Sequence, residues 1–195
     1  MVLGETTILM KTELQNTIRS LQNNEIILYP TDTVWGIGCD ATNVDAVRKI
    51  YQIKRREASK SMIILVNSLE MLQNYISNIP DSIIDILSNT LKPTTIIYNN
   101  PKGLAQNVVA EDNTVAIRIV NDEFCQKLIQ KFGKPIVSTS ANISGQPTPK
   151  SFDEISESIL HSVDYVVNLH REKLNISPSS IIKLNTDGSI STLRE

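Results

Sequence analysis

Apolar residues recur at helical spacing in six segments of the chain. Leu14, Ile18 and Leu21 lie three or four positions apart, which predicts an amphipathic helix over Thr12–Asn23. The same spacing predicts a helix over Asn43–Lys54, with Asn43 as its N-cap. The other predicted helices are Ser68–Tyr75, Asp81–Thr90 with Asp81 as its cap, Asp122–Phe132 ended by Gly133, and Ser151–Leu160.

Short apolar runs between the helices predict strands. They are Glu25–Tyr29, Val34–Cys39, Met62–Val66, Thr94–Tyr98, Thr114–Val120, Pro135–Val137, Tyr165–Leu169, Ser180–Leu184 and Ser189–Leu193. Helices and strands are interleaved throughout, and no repeat or linker separates them. The pattern therefore predicts one α/β domain over residues 1–195, built around a mixed sheet.

Composition narrows the class of protein. A chain of 195 residues with 41% hydrophobic and 21% charged residues is ordinary for one globular core. The longest apolar runs are too short to span a bilayer, and the first residues do not look like a secretion signal. Cys39 and Cys125 lack metal-site spacing and are expected as reduced, buried thiols in a cytoplasm. Only His161 and His170 are present, which excludes a multi-histidine metal centre and disfavours a serine–histidine hydrolase.

Charge is distributed unevenly along the chain. The net charge of −2 is not that of a general nucleic-acid binder. Thirteen residues nevertheless contain six cations and only one acidic residue, Glu57. The cations are Arg48, Lys49, Lys54, Arg55, Arg56 and Lys60. Such a run is either a solvated helix end, where cations are favoured, or an anion site. No Walker-type loop is present, so any ATP site must be built in another way.

Two further polar segments interrupt apolar strands. Tyr29–Gly36 contains Thr31, Asp32 and Thr33, which serve either as turn-capping side chains or as ligand contacts. Ser138–Gly145 follows a buried strand and offers several hydroxyl and amide groups at a strand end, where open α/β sheets bind ligands. The alternative for that segment is an ordinary Asn/Ser/Gly loop.

Two single arginines add to these segments. Arg118 lies in an apolar strand, so it either faces solvent or needs a partner or ligand. Arg194 near the C-terminus is by itself best explained as an ordinary tail charge.

In this order, the three segments strongly resemble the YrdC family of threonylcarbamoyl-AMP synthases. The residues that carry the resemblance are Tyr29–Gly36, Lys54–Arg56 and Ser140–Asn142, and the match runs from about Glu25 to Ser151. The resemblance implies a twisted, mixed open sheet with flanking helices around a positively lined cavity. It also implies the short, single-domain form of the family.

The resemblance further implies site residues. Lys54 and Arg56 would be catalytic. ATP would lie against Lys54, Arg56, Lys60, Thr114, Ser138, Ser140, Asn142, Thr148 and Arg194, and threonine against Thr33, Arg118 and Ser179. Three departures from the family pattern, near Ser61, Pro93 and Ser179, weaken the threonine assignments more than the ATP ones.

The implied reaction joins L-threonine, bicarbonate or CO2, and ATP with Mg²⁺ into threonylcarbamoyl-adenylate and pyrophosphate. This product is the precursor of a modified adenosine in transfer RNA. No protein metal ligands are implied. A separate tRNA threonylcarbamoyl transferase complex would complete the nucleoside, with at most transient contact, and direct tRNA binding would be weak. Two alternatives remain: a paralogue that activates another carboxylate or carbamate, and a non-catalytic module that binds double-stranded RNA or tRNA through the basic cavity.

Overall fold

The computed structural model describes residues 2–57, 62–174 and 178–195. Its α-helices are α1 (Val2–Gln22), α2 (Val44–Lys54), α3 (Leu69–Tyr75), α4 (Asp81–Asn89), α5 (Glu123–Phe132) and α6 (Glu157–Leu160). Its strands are β1 (Ile27–Tyr29), β2 (Gly36–Gly38), β3 (Ile63–Val66), β4 (Thr94–Asn99), β5 (Thr114–Ile119), β6 (Ile136–Ser140), β7 (Tyr165–Val166), β8 (Ser180–Leu184) and β9 (Ile190–Arg194). Within the described residues, no helix is long and apolar enough to cross a membrane.

The strands form one mixed sheet in the order β7-β1-β2-β6-β3-β5-β4-β8-β9. The pairs β1–β7, β3–β5 and β4–β8 are parallel, and the other neighbours are antiparallel. The predicted mixed α/β architecture is therefore confirmed. Because β6 lies between β2 and β3, Ser138 pairs with Ile63 of β3, the strand that follows the basic cluster, and Ser140 pairs with Gly36 of β2.

The two faces of the sheet carry different cores. Ile64 of β3 packs in a cluster with Ile50 of α2, whereas Leu65 packs on the opposite face with Leu21 of α1 and Phe124 of α5. Successive residues of a strand point to opposite faces, so β3 contributes to both clusters. Helices α1 and α5 also contact each other, so they form one layer over this second face.

Local sequence signals explain the starts of α2 and α5. Asn43 caps α2 by accepting hydrogen bonds from the backbone N–H groups of Asp45 and Ala46, as predicted. Asp122 caps α5 through the Cys125 N–H. A side-chain oxygen at this position satisfies an N–H that has no partner within the helix.

Several predictions about element bounds were wrong: β1, β2 and β7 are shorter than predicted, and four other elements differ in an end, a cap or their continuity. Helix α1 begins ten residues before Thr12, in a stretch without helical periodicity. Asp81 is the first residue of α4 and not its cap, and Pro80 at the cap position supplies no side-chain acceptor. Strand β6 continues past Val137 because Ser138 and Ser140 still pair with neighbouring strands. The predicted helix Ser151–Leu160 is divided into a 3-10 turn (Phe152–Glu154) and α6, because the backbone between them is extended.

Candidate functional site

A cavity of about 360 Å³ opens on the sheet face opposite the α2 core. Ile97 of β4 and Ala116 and Arg118 of β5 line it, and these residues alternate with core residues of the same strands, Ile96 and Ile117. Because α1 and α5 cover the other half of this face, the cavity lies over the strands that those helices leave open. The polar residues of its wall are Thr33, Arg56, Arg118, Ser138, Thr139, Ser140, Thr148, Ser179 and Arg194.

In the turn that follows β1, Thr31 caps the turn, whereas Asp32 and Thr33 contact Arg118. The Thr31 hydroxyl donates to the Val34 carbonyl at 2.8 Å and accepts from the Thr33 N–H at 3.1 Å, which is ordinary turn chemistry. Asp32 and Thr33 instead reach across to Arg118 of β5. The turn is thus held by Thr31 and presents its next two side chains to the sheet.

Arg118 is buried, with 3% of its surface exposed, so it does not face solvent. Its Nη2 donates to Asp32 Oδ1 at 2.9 Å and to the Thr33 hydroxyl at 3.3 Å. Its Nε is also buried and has no hydrogen-bond partner among the described residues. A buried donor without a partner is costly, and a guanidinium fork matches a carboxylate. Arg118 is therefore a candidate anion-binding group in this cavity wall.

Lys54 is the last residue of α2 and is 1% exposed. Its Nζ donates to the backbone carbonyls of Ser140 at 2.5 Å and Asn142 at 2.7 Å, and its own carbonyl accepts from the Ser144 N–H at 2.8 Å. Burial, followed by the charge of Arg56, lowers the pKa of Lys54 to about 8. Lys54 therefore joins the end of α2 to the loop after β6, and it is not a solvated helix-end charge.

The other residues of the basic run differ in their exposure. Arg48 is exposed and pairs with Asp45 on its own helix. Arg56 lines the cavity, and burial lowers its pKa. Lys60 lies outside the described residues, as does Ser61.

Arg194 reaches the cavity because β9 returns antiparallel to β8. Its Nε donates to the Ser179 carbonyl at 2.8 Å, and its Nη2 lies 3.4 Å from the Ser179 hydroxyl. Burial, and then the charge of Arg118, lowers the pKa of Arg194. Ser179 is itself buried and shares a hydrogen bond of 2.8 Å with Thr95. Arg194 is therefore part of the cavity wall and not a loose tail charge.

Two predicted site residues lie near the cavity but do not line it. The Asn142 Nδ2 group donates to the carbonyls of Ile143 and Gln146, while its Oδ1 is buried without a partner among the described residues. Thr114, at the start of β5, donates to Asp112, which also pairs with Lys183. Lys54, Thr114 and Asn142 are thus three predicted ATP-site residues that the cavity wall does not include.

The sequence interpretation missed several wall residues. Thr139 supplies a further hydroxyl, and Val34, Met62, Ile97 and Ile181 supply an apolar surface. The apolar residues gave no separate signal because a strand that faces a cavity has the same composition as one that faces a core. Thr139 lies between two predicted residues, and its position in the polar run was the available signal.

Gly36 and Gly38 allow β1, β2 and β6 to approach closely. A Cβ at Gly36 would lie 2.9 Å from the Ser138 hydroxyl, and one at Gly38 would lie 2.5 Å from the Val137 carbonyl oxygen. These glycines therefore set the position of β6 and its serines.

Among the described residues, no group of three His, Cys, Asp or Glu side chains could hold a metal ion.

Comparisons with known proteins identify the family of the chain. The Sua5/YciO/YrdC family model, described as telomere recombination, matches residues 19–195. The threonylcarbamoyl-AMP synthase of Pseudoalteromonas translucida is 36% identical over 169 residues, which is 84% of this chain and 89% of that protein. A putative threonylcarbamoyl-AMP synthase of Methanocaldococcus jannaschii is 36% identical over 183 residues, 93% of this chain and 84% of that one.

Solved structures share the fold. P. abyssi Sua5, in a complex with L-threonine, superposes with a TM-score of 0.84 at 26% identity, over 93% of this chain and 53% of the Sua5 chain. The chain therefore spans about half the length of that protein. E. coli YciO has a TM-score of 0.82 at 22% identity over 95% of this chain and 89% of its own, a likeness of fold alone.

Proposed function

The chain belongs to the Sua5/YciO/YrdC family, and on that premise we propose that it is a threonylcarbamoyl-AMP synthase acting on L-threonine, bicarbonate or CO2, and ATP. One observation carries the proposal: Arg118 lines the cavity, is buried, and has an Nε without a partner among the described residues. A carboxylate ligand would satisfy that donor and balance the charge.

At the threonine end, the carboxylate of the amino acid would bind the free edge of Arg118. Thr33 and Ser179 line the same cavity, so their hydroxyls are available for the polar groups of the substrate. Arg194 holds Ser179 through its backbone carbonyl, which fixes the position of that residue in the wall. In this proposal Arg194 contributes to the threonine end as well as to the nucleotide.

At the nucleotide end, Arg56, Ser138, Ser140 and Thr148 would contact ATP directly from the wall. Lys54 would act as a buried positive charge behind Ser140, since its ammonium already binds two carbonyls there. Positive groups fixed in a water-poor site stabilise the charge that develops during nucleotidyl transfer. Lys60, Thr114 and Asn142 remain part of the predicted ATP site.

The reaction needs positioning more than a side-chain nucleophile. The amine of threonine forms a bond to the carbon of CO2 and releases a proton to solvent, and an oxygen of the resulting carbamate attacks the α-phosphorus of ATP. The bond to the β-phosphate oxygen breaks, and pyrophosphate leaves. Mg²⁺ would neutralise the triphosphate, and its ligands would be mainly phosphate oxygens, because no carboxylate cluster is found in the described part of the chain. An enclosed cavity would protect the labile product from water.

The cysteines and the net charge bear on the compartment and the partners of the enzyme. Both cysteines are buried and unpaired to each other, as suits a reducing compartment, and we propose a cytoplasmic enzyme. Its product would pass to a tRNA threonylcarbamoyl transferase complex, by transient contact at most. The net charge of −2 argues against strong tRNA binding by this chain.

The test is pyrophosphate release from ATP with magnesium and bicarbonate, with L-threonine or with serine or glycine in its place. Release that requires both L-threonine and bicarbonate is the expected result. Release with another amino acid would favour the paralogue that activates a different carboxylate. ATP binding without release under any condition would refute the synthase and favour a binding module.

A further inference from the structure

Asp32 faces Arg118 from the turn after β1. Its Oδ1 accepts the Arg118 Nη2 hydrogen at 2.9 Å, and its Oδ2 accepts the backbone N–H of Asn121 at 3.2 Å. The carboxylate is 10% exposed and the guanidinium 3% exposed. Both oxygens of Asp32 are thus engaged on β5 and on the residues that follow it, in a place of limited access to water.

Asp32 does not line the cavity formed by the described residues. It lines a neighbouring hollow together with Asn121, whereas Thr33 and Arg118 line the cavity. A substrate in the cavity would therefore meet Arg118 and not Asp32. Any effect of Asp32 on the substrate has to pass through the guanidinium that it binds.

Two effects of Asp32 on Arg118 oppose each other. Its negative charge weakens the attraction between Arg118 and an anionic ligand, while its hydrogen bond fixes which edge of the guanidinium remains available. The hydrogen bond is charge-assisted and directional, and Thr33 accepts from the same Nη2. A fork that is already oriented loses less freedom when it binds a carboxylate, and this is the effect of Asp32 that favours binding.

We propose that Asp32 is a positioning residue: it holds the Nη2 side of Arg118 so that the remaining donors, including Nε, face the carboxylate of the substrate. This inference rests on the proposed function, which supplies threonine as that substrate. It assigns to the acidic residue of the Thr31–Thr33 turn a role separate from turn capping and from catalysis.

The test compares Asp32→Ala and Asp32→Asn with a matched control, Asp40→Ala. Asp40 is also buried, pairs with Lys134 at 2.7 Å and accepts the Thr42 N–H at 2.8 Å, but it lies outside the cavity wall. Calorimetric binding of L-threonine and steady-state KM values for threonine and ATP are measured on variants whose folding is checked by thermal unfolding.

Asp32→Ala should weaken threonine binding by about tenfold or more and change the KM for ATP by less than about threefold. Asp32→Asn should lie between this variant and the wild type, because asparagine keeps one acceptor for Arg118. Asp40→Ala should bind threonine as the wild type does. Unchanged or tighter threonine binding by Asp32→Ala, or an equal loss for threonine and ATP, would overturn the inference.

A double-mutant cycle covers the case in which Asp32→Ala does not fold. In an Arg118→Lys background, Asp32→Asn should weaken threonine binding by less than about twofold further. The guanidinium through which Asp32 acts on the substrate is already absent in that background. A full multiplicative loss would refute a role through Arg118. Wild-type protein that binds no threonine would instead refute the proposed function, and the inference with it.

Discussion

Raising the pH perturbs the Lys54 ammonium selectively. Its pKa is lowered to about 8, and as an ammonium it donates two hydrogen bonds to the loop after β6 and carries a positive charge there. At about pH 9, one unit above this value, only about a tenth of the molecules retain that proton. If the charged form is required, kcat/KM for ATP should be about a tenth of its plateau there.

Loss of activity through Lys54 should not reflect unfolding. The folded-state pKa lies below the unfolded value, so the unfolded chain binds more protons between the two pKa values. The contribution of Lys54 to the free energy of unfolding therefore rises with pH over this window. Urea unfolding at about pH 7.5 and about pH 9 should show no destabilisation attributable to this group.

The assay is pyrophosphate release at saturating threonine and constant dissolved CO2, with ATP varied across the pH range. Lys54→Met is the control, because it keeps the aliphatic length and removes the titrating amine. Its activity should be low and should lack the inflection near pH 8. If the wild-type kcat/KM for ATP is constant from about pH 7 to about pH 9, or if Lys54→Met shows the same inflection, the charged form of Lys54 is not required.

Three further variants test separate parts of the site. Arg118→Lys should raise the KM for threonine by about tenfold to a hundredfold by removing the guanidinium fork, with little change for ATP in initial-rate kinetics; equal effects on both substrates would contradict the carboxylate role. Arg56→Ala should lower kcat/KM for ATP by about tenfold or more, whereas Arg48→Ala, which removes an exposed cation of the same run, should act as the wild type. Gly38→Ala should destabilise the fold by about 1–3 kcal/mol in chemical unfolding, since its Cβ would lie 2.5 Å from the Val137 oxygen; unchanged stability would show that β2 and β6 can separate.

Much of the fold could be predicted because its signals are local. Asn43 and Asp122 mark helix starts by a side chain that bonds a nearby N–H, and the apolar runs that became β3 and β8 were found with bounds close to those observed. Helix α1 is different, since its first turns carry no periodic apolar stripe. Whether such a segment is helical depends on more than its pattern of apolar residues, so the pattern did not predict it.

The candidate site was only partly predictable because side-chain chemistry is visible in a sequence and backbone geometry is not. The polar residues of the cavity wall come largely from the three polar segments and the two single arginines. The partners of Lys54, in contrast, are backbone carbonyls of Ser140 and Asn142, and a carbonyl is the same at every position. The pairing of Asp32 with Arg118 likewise joins residues far apart in sequence.

The arrangement of charge explains how an overall acidic chain can hold an anion. Net charge describes the whole surface, whereas binding depends on groups in a water-poor cavity, where screening is weak. Arg118 and Arg194 line the same cavity, and burial, followed by the charge of Arg118, lowers the pKa of Arg194. Asp32 offsets only part of that repulsion, since it binds one side of Arg118. An anion in the cavity would reduce the repulsion between Arg118 and Arg194 further.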